Sequence, residues 1–120
     1  MLENGTTPSS KPEKAMVELL KEIYGADNCK AQYVFDRCSF DCLLSVNGVD
    51  IDVEYDGKYW HNEERDTRRD NYTIRRGIKV LRFVSETAVP SKDLIIRSVD
   101  YLVNSNHTHI KVDVQSGDII

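Results

Sequence analysis

The sequence predicts an α/β (α+β) domain: a central mixed sheet with an antiparallel hairpin, flanked by helices, in the order αβββαβα(β). Three observations predict it. Asn47-Gly48 separates two alternating runs, and Asn-Gly tolerates the positive φ of a type I′ hairpin turn. Helical spacing of apolar residues occurs before this hairpin and again over residues 94 to 103, with an Arg-rich helical segment between them. The apolar, β-branched run Ile78-Lys79-Val80-Leu81-Arg82-Phe83-Val84 follows a helix, so it is expected to join the hairpin in parallel through a crossover.

Taken in order, residues 1 to 10 form a polar arm with Gly, Pro and Ser, expected to be disordered. Ser10-Lys11-Pro12-Glu13 reads as a capping box with Pro in the first turn. Ala15, Met16, Leu19, Leu20, Ile23 and Tyr24 follow at helical spacing and Gly25 ends the run, giving a helix over residues 11 to 24. Residues 31 to 36 read as a first strand and residues 39 to 46 and 49 to 55 as the hairpin. After a loop at 56 to 62, an Arg-rich helix spans 63 to 76 and stops at Gly77. Ser91 caps a third helix whose buried stripe is Leu94, Ile95, Val99, Leu102 and Val103. His109 to Val114 alternates. Residues 106 to 120 are thus an edge strand or a linker to a further domain, and 11 to 105 the main domain.

The two-residue turn fixes the hairpin register, with paired numbers summing to 95. Val46, Leu44, Cys42 and Phe40 then share an apolar face with Val49, Ile51, Val53 and Tyr55. The other face sets Ser45 against Asp50, Leu43 against Asp52, and Asp41 directly against Glu54. Like charges directly opposed are destabilising, so a cation is expected between Asp41 and Glu54, most economically a divalent metal ion. The bland alternative is that Asp50, Asp52 and Glu54 are the wet face of a half-exposed sheet.

At 120 residues the chain suits one domain, and 40% hydrophobic against 30% charged residues is ordinary globular composition. No apolar run approaches the roughly 18 residues of a membrane span, and the first residues lack a signal peptide's apolar segment, so an intracellular, cytoplasmic location without a membrane partner is expected. Cys29, Cys38 and Cys42, an odd count without Cys-x-x-Cys, read as reduced thiols; zinc held by these with His107 and His109 is the minor reading. The net charge of −4 alone disfavours nucleic acid. Residues 58 to 82, however, hold eight basic residues against four acids, a balance of +4 that leaves −8 on the rest. One basic surface on an acidic body is the footprint of phosphate binding, the alternative being a solvated helix laced with ion pairs.

FDCLL around Asp41, VEYDGKYWH over residues 53 to 61, Asp66-x-x-Arg69, and GIKVLRF over residues 77 to 83 stand in this order. Together they resemble the PD-(D/E)XK nuclease superfamily, in particular its very-short-patch-repair-endonuclease-like branch, which includes phage-type homing endonucleases with an E-D-x-H-D site. The likeness covers roughly residues 10 to 84. It implies a restriction-endonuclease-like fold and metal-dependent hydrolysis of double-stranded DNA with Mg²⁺ or Mn²⁺. It further implies catalytic roles for Glu13, Asp41, His61 and Asp66, and metal ligation by Asp41, Glu54, the Tyr55 carbonyl and Asp56. Tyr59-Trp60 falls where mismatch-nicking relatives carry an aromatic pair. With Lys58, Arg65, Arg68, Arg69 and Arg76, that pair makes up the expected DNA-binding set. The Lys expected two residues after the Glu is Asp56 here, which leaves His61 as the proton carrier. The alternatives are a mismatch-directed nickase and a catalytically dead nucleic-acid-binding module of the same fold. A homodimer or an added DNA-binding domain would supplement the few contacts that the +4 segment can make.

Overall fold

Ser10 starts the first helix as expected, its Oγ accepting from the Glu13 N–H at 3.2 Å. The computed structural model describes residues 10–57 and 63–120. Most of the expected disordered arm, together with Lys58, Tyr59, Trp60 and His61, lies outside the described residues. The helices are α1 (Lys11–Tyr24), α2 (Glu63–Arg75) and α3 (Lys92–Asn104). The strands are β1 (Cys29–Phe35), β2 (Cys38–Val46), β3 (Val49–Asp56), β4 (Lys79–Val84) and β5 (His109–Asp113), and a short 3-10 turn, Ala26–Asn28, leads into β1. Ser91 Oγ caps α3 through the Leu94 N–H at 3.1 Å.

The five strands form one mixed sheet in chain order, β1-β2-β3-β4-β5. The first three are antiparallel, whereas β3–β4 and β4–β5 are parallel, each joined by a helix. Asn47 and Gly48 take φ 51° and 78°, and the register runs from Val46↔Val49 to Cys42↔Val53, as the turn requires. Residues 106 to 120 hold an edge strand: β5 borders the sheet, and the chain turns back along it through an antiparallel bridge from Val112 to Ile119.

α1 and α3 cover one face of the sheet. Met16, Val17, Leu20, Leu94, Ile95, Val99 and Leu102 meet Cys42, Leu44, Ile51, Val53, Leu81, Phe83, Ile110 and Val112 there in the main core. Cys29 and Cys42 are buried free thiols, and Cys38 is half-buried. α2 covers the opposite face, where Phe40, Leu43 and Ile78 form a second apolar cluster, with Tyr33 and Cys38 packed against it.

Phe40 corrects the expected faces. It shares parity with Cys42 and Leu44 yet packs beneath α2 beside Leu43. The cause lies in β1. Gln32, which the flanking pairs Ala31↔Cys42 and Tyr33↔Phe40 place opposite Asp41, has φ 51°. A left-handed residue inside a strand breaks the pleat. Both strands therefore change face at this point, and Tyr33 follows Phe40 to the α2 side.

Candidate active site

The pleat break opens the hairpin where the paired acids stand. The regular β2–β3 register stops at Cys42↔Val53. One step further, side chains replace the ladder: the Asp41 N–H donates to Glu54 Oε2 at 3.0 Å, and the Tyr55 N–H donates to Asp41 Oδ2 at 2.7 Å. Each acid thus accepts from the opposite strand's backbone. The two carboxylates are therefore held next to each other by these backbone hydrogen bonds, one step beyond the last register pair. Glu13 approaches from α1, where its Oε2 accepts from Gln32 Nε2 at 2.6 Å, so the left-handed residue also ties α1 to the site.

Burial and its acidic neighbours push Asp41 up to about 8: desolvation dominates, followed by the charges of Glu54 and Glu13, while the Tyr55 N–H and Arg69 pull the other way. Asp52, two residues before Glu54 and on the same side of β3, is fully buried. Desolvation first, and then the Glu54 carboxylate, raise its pKa well above the ordinary carboxylate range. Neither Asp52 oxygen has a donor among the described residues. The neighbouring Glu54 oxygens are themselves acceptors, so only protonation would turn Asp52 into a hydrogen-bond partner for them.

The cation facing this pair comes from α2. Arg69 Nη2 lies 3.0 Å from Glu54 Oε2 and 3.9 Å from Asp52 Oδ2, and it donates to the Ser39 carbonyl at 2.8 Å. Burial disfavours the guanidinium's charge, but Glu54 and Asp52 outweigh this and raise its pKa. Its carbon also lies 6.0 Å from the Phe40 ring centroid. The pleat break thus places an aromatic face beneath the arginine that neutralises the acids.

A second buried network continues the ionic layer toward β5. Arg82, 1% exposed on β4, donates to Asp56 Oδ1 at 2.9 Å and to Asp70 on α2 through Nε at 2.8 Å and Nη2 at 2.5 Å. His109 Nε2 lies 3.2 Å from Asp70 Oδ2. Desolvation would raise Asp70, but Arg82 and His109 overcome it and hold its carboxyl at about 2. Between α2 and the sheet thus lie the buried Asp52, Glu54 and Asp56 of β3, Arg82 of β4 and Asp70 of α2, with the half-buried Arg69; of the acids in the bland reading only Asp50 is on a wet surface.

The sequence-predicted residues divide accordingly. Asp41, Glu54 and Glu13 come together, with the Tyr55 backbone between the acids. Asp56, expected as a ligand beside them, is instead engaged by Arg82. Asp66 lines a cleft of about 240 Å³ with Asp70, His109 and Lys111, facing β5, while Arg69, three residues on, faces Glu54. The basic segment is not one surface, because Arg69 and Arg82 point inward. Arg65, Arg68 and Arg76 are exposed on α2; Arg68 pairs with Glu64 at 3.2 Å, and Arg76 lies 3.8 Å from Asp36. Among the described residues, no group of three or more His, Cys, Asp or Glu side chains is gathered to hold a metal, and His61 lies outside them. No helix of the described residues is long and apolar enough to cross a membrane.

Sequence reasoning missed Asp52, Asp70, Arg82 and Gln32. The legible signal was Arg82 itself: a charge flanked by Val80, Leu81, Phe83 and Val84 in the strand Lys79–Val84 must find buried acids, and the even-numbered acids of β3 were there to meet it. Comparison with protein-family models, curated proteins and solved structures found no match to this chain.

Proposed function

We propose that this chain is the catalytic domain of a metal-dependent DNA endonuclease that hydrolyses phosphodiester bonds. One observation carries the reading: Asp41 and Glu54, each anchored by the other strand's backbone, present two carboxylates held together at an opened hairpin. Hard carboxylate oxygens suit Mg²⁺ or Mn²⁺, and a site where burial first, and then the charges of Glu54 and Glu13, push Asp41 up to about 8 has room for added positive charge. Asp41 and Glu54 would hold the ion, with the Tyr55 carbonyl as the backbone donor. Asp56, committed to Arg82, is not part of that set. When bound, the ion supplies an activated water and neutralises charge on the phosphate.

The protein's own groups do the rest. Glu13 and Gln32 brace the β1 side of the site, and Arg69 offers a guanidinium suited to a phosphate oxygen. His61 takes the proton-transfer role that its motif implies. Arg65, Arg68 and Arg76 contribute phosphate contacts along α2. Binding by so few cations on an acidic body is weak, on the order of the 10⁻⁴–10⁻⁶ M non-specific range.

A second reading is favoured by Arg69, which already sits on Glu54: a nucleic-acid-binding module of the same fold, in which a guanidinium permanently replaces the metal ion. Supercoiled plasmid incubated with the protein and Mg²⁺ or Mn²⁺, against an EDTA control, separates the two. Metal-dependent nicking that is lost in Asp41→Ala supports the nuclease. A folded protein that binds plasmid and leaves it intact with both metals supports the module.

A further inference from the structure

Three buried side-chain atoms beneath α2 make no hydrogen bond among the described residues: Oδ1 and Oδ2 of Asp52, and Nε of Arg69. Arg69 Nη2 already stands 3.9 Å from Asp52 Oδ2 while it holds Glu54 at 3.0 Å. An orphaned buried donor or acceptor carries its full desolvation penalty, so this arrangement leaves unused a contact that satisfies both groups. A rotation of the guanidinium that brought Nε and one Nη onto Asp52 would make a bidentate pair in the planar geometry that arginine and carboxylate share. The same rotation uncovers Glu54.

Resting on the metal-dependent reading above, we propose that Arg69 is an exchangeable occupant of the acid pair and that Asp52 is its second berth. Without a divalent ion the guanidinium neutralises Glu54. When the ion enters between Asp41 and Glu54, Arg69 moves to Asp52, which relieves like-charge repulsion with the ion and satisfies the three orphaned atoms. Asp52 is thus a positioning residue for the metal site and not one of its ligands. This contrasts with the module reading, in which Arg69 never leaves Glu54.

The test uses the full chain and the metals alone. Mn²⁺ binding is measured by calorimetry for the wild type, Asp52→Asn and Arg69→Gln, and the Arg69 Nε–H resonance is followed by NMR during Mg²⁺ titration. Asp52→Asn is close to isosteric, and Arg69→Gln removes the competing cation. Loss of the charge-assisted berth should weaken Mn²⁺ binding about tenfold or more in Asp52→Asn. Arg69→Gln should bind Mn²⁺ more tightly by a similar factor. In the wild type, Mg²⁺ should move the Nε–H downfield into a hydrogen-bonded position, and this shift should vanish in Asp52→Asn. A purely structural role for Arg69 predicts instead that Arg69→Gln loses affinity. If the wild type binds Mn²⁺, Asp52→Asn binds it equally and the Nε–H does not move, the exchange is overturned while the nuclease reading stands. If the wild type binds neither metal at millimolar concentration, both fall.

Discussion

The two faces of this sheet are held in different ways. Beneath α1 and α3 the contacts are apolar and spread over sixteen buried side chains among the described residues, so no single pair decides the outcome. Beneath α2 a small apolar cluster gives way to acids and arginines, where Glu54, Asp56, Asp70, Arg69 and Arg82 each depend on a named partner. Apolar burial is non-directional and degrades in proportion to the area lost. A buried ionic layer degrades by orphaning, since losing one partner leaves the others charged, dry and unpaired. The face richest in stability is therefore the more forgiving one, and the face that carries the proposed chemistry is the brittle one.

The sharpest way to break that contrast is Arg82→Ala, which strands Asp56 and Asp70 together. It should cost about 3–5 kcal/mol, as removal of one partner from a buried pair does, measured by urea unfolding near neutral pH. Replacing the trio together, as Asp56→Asn, Asp70→Asn and Arg82→Met, should return much of that loss. A triple variant as unstable as Arg82→Ala would show the two faces to be alike.

On the apolar face, Leu44→Ala should cost about 2–5 kcal/mol through the cavity it leaves beneath α1 and α3. The loss should be nearly independent of pH, and a marked pH dependence of that difference would count against the division drawn here.

Titration sharpens the comparison from the ionic side. Asp41 binds its proton more tightly folded, at about 8, than unfolded, at 3.8, so its contribution is complete below about pH 4 and is lost as pH rises toward 8. Asp70 runs the other way: held at about 2, it contributes above its unfolded value of 3.8 and is lost as pH falls toward 2. In EDTA the wild type should therefore be most stable near pH 4, and the decline toward pH 8 should be on the order of a few kcal/mol. Asp41→Asn should flatten that decline, and Asp70→Asn should leave it in place while removing the loss at lower pH. Unfolding midpoints across the range decide it, and an unchanged alkaline decline in Asp41→Asn would remove Asp41 as its cause.

What could be read from the residues was whatever local chemistry enforces. Asn47-Gly48 dictated a turn, the turn a register, and the register brought Asp41 to Glu54; Ser10, Ser91 and the apolar stripes placed α1 and α3. What could not be read was set by tertiary contact. The left-handed Gln32 has no local cue, since nothing in the type of residue demands positive φ, and the face change of Phe40 follows from it. Charge on a strand reads as solvent exposure until a helix is known to lie over it, so the alternation of Asp50, Asp52 and Glu54 resembled a wet face and the Arg-rich segment a single surface. α2 inverts both readings by burying Asp52 and by drawing Arg69 inward.

The return of the chain along β5 matters for how this molecule behaves among its own copies. A bare outer strand offers a row of unused donors and acceptors to any neighbouring chain, the usual seed of sheet-to-sheet aggregation. Here the Asp113 N–H donates to the Asp118 carbonyl at 2.8 Å and the Ile120 N–H to the Lys111 carbonyl at 2.9 Å, so the segment after Gly117 takes up positions that a stranger would fill. At the opposite border, β1 is interrupted midway by the left-handed Gln32, which spoils the straight row a stacking partner needs. One border is occupied and the other is bent, and the sheet is poorly suited to extending itself.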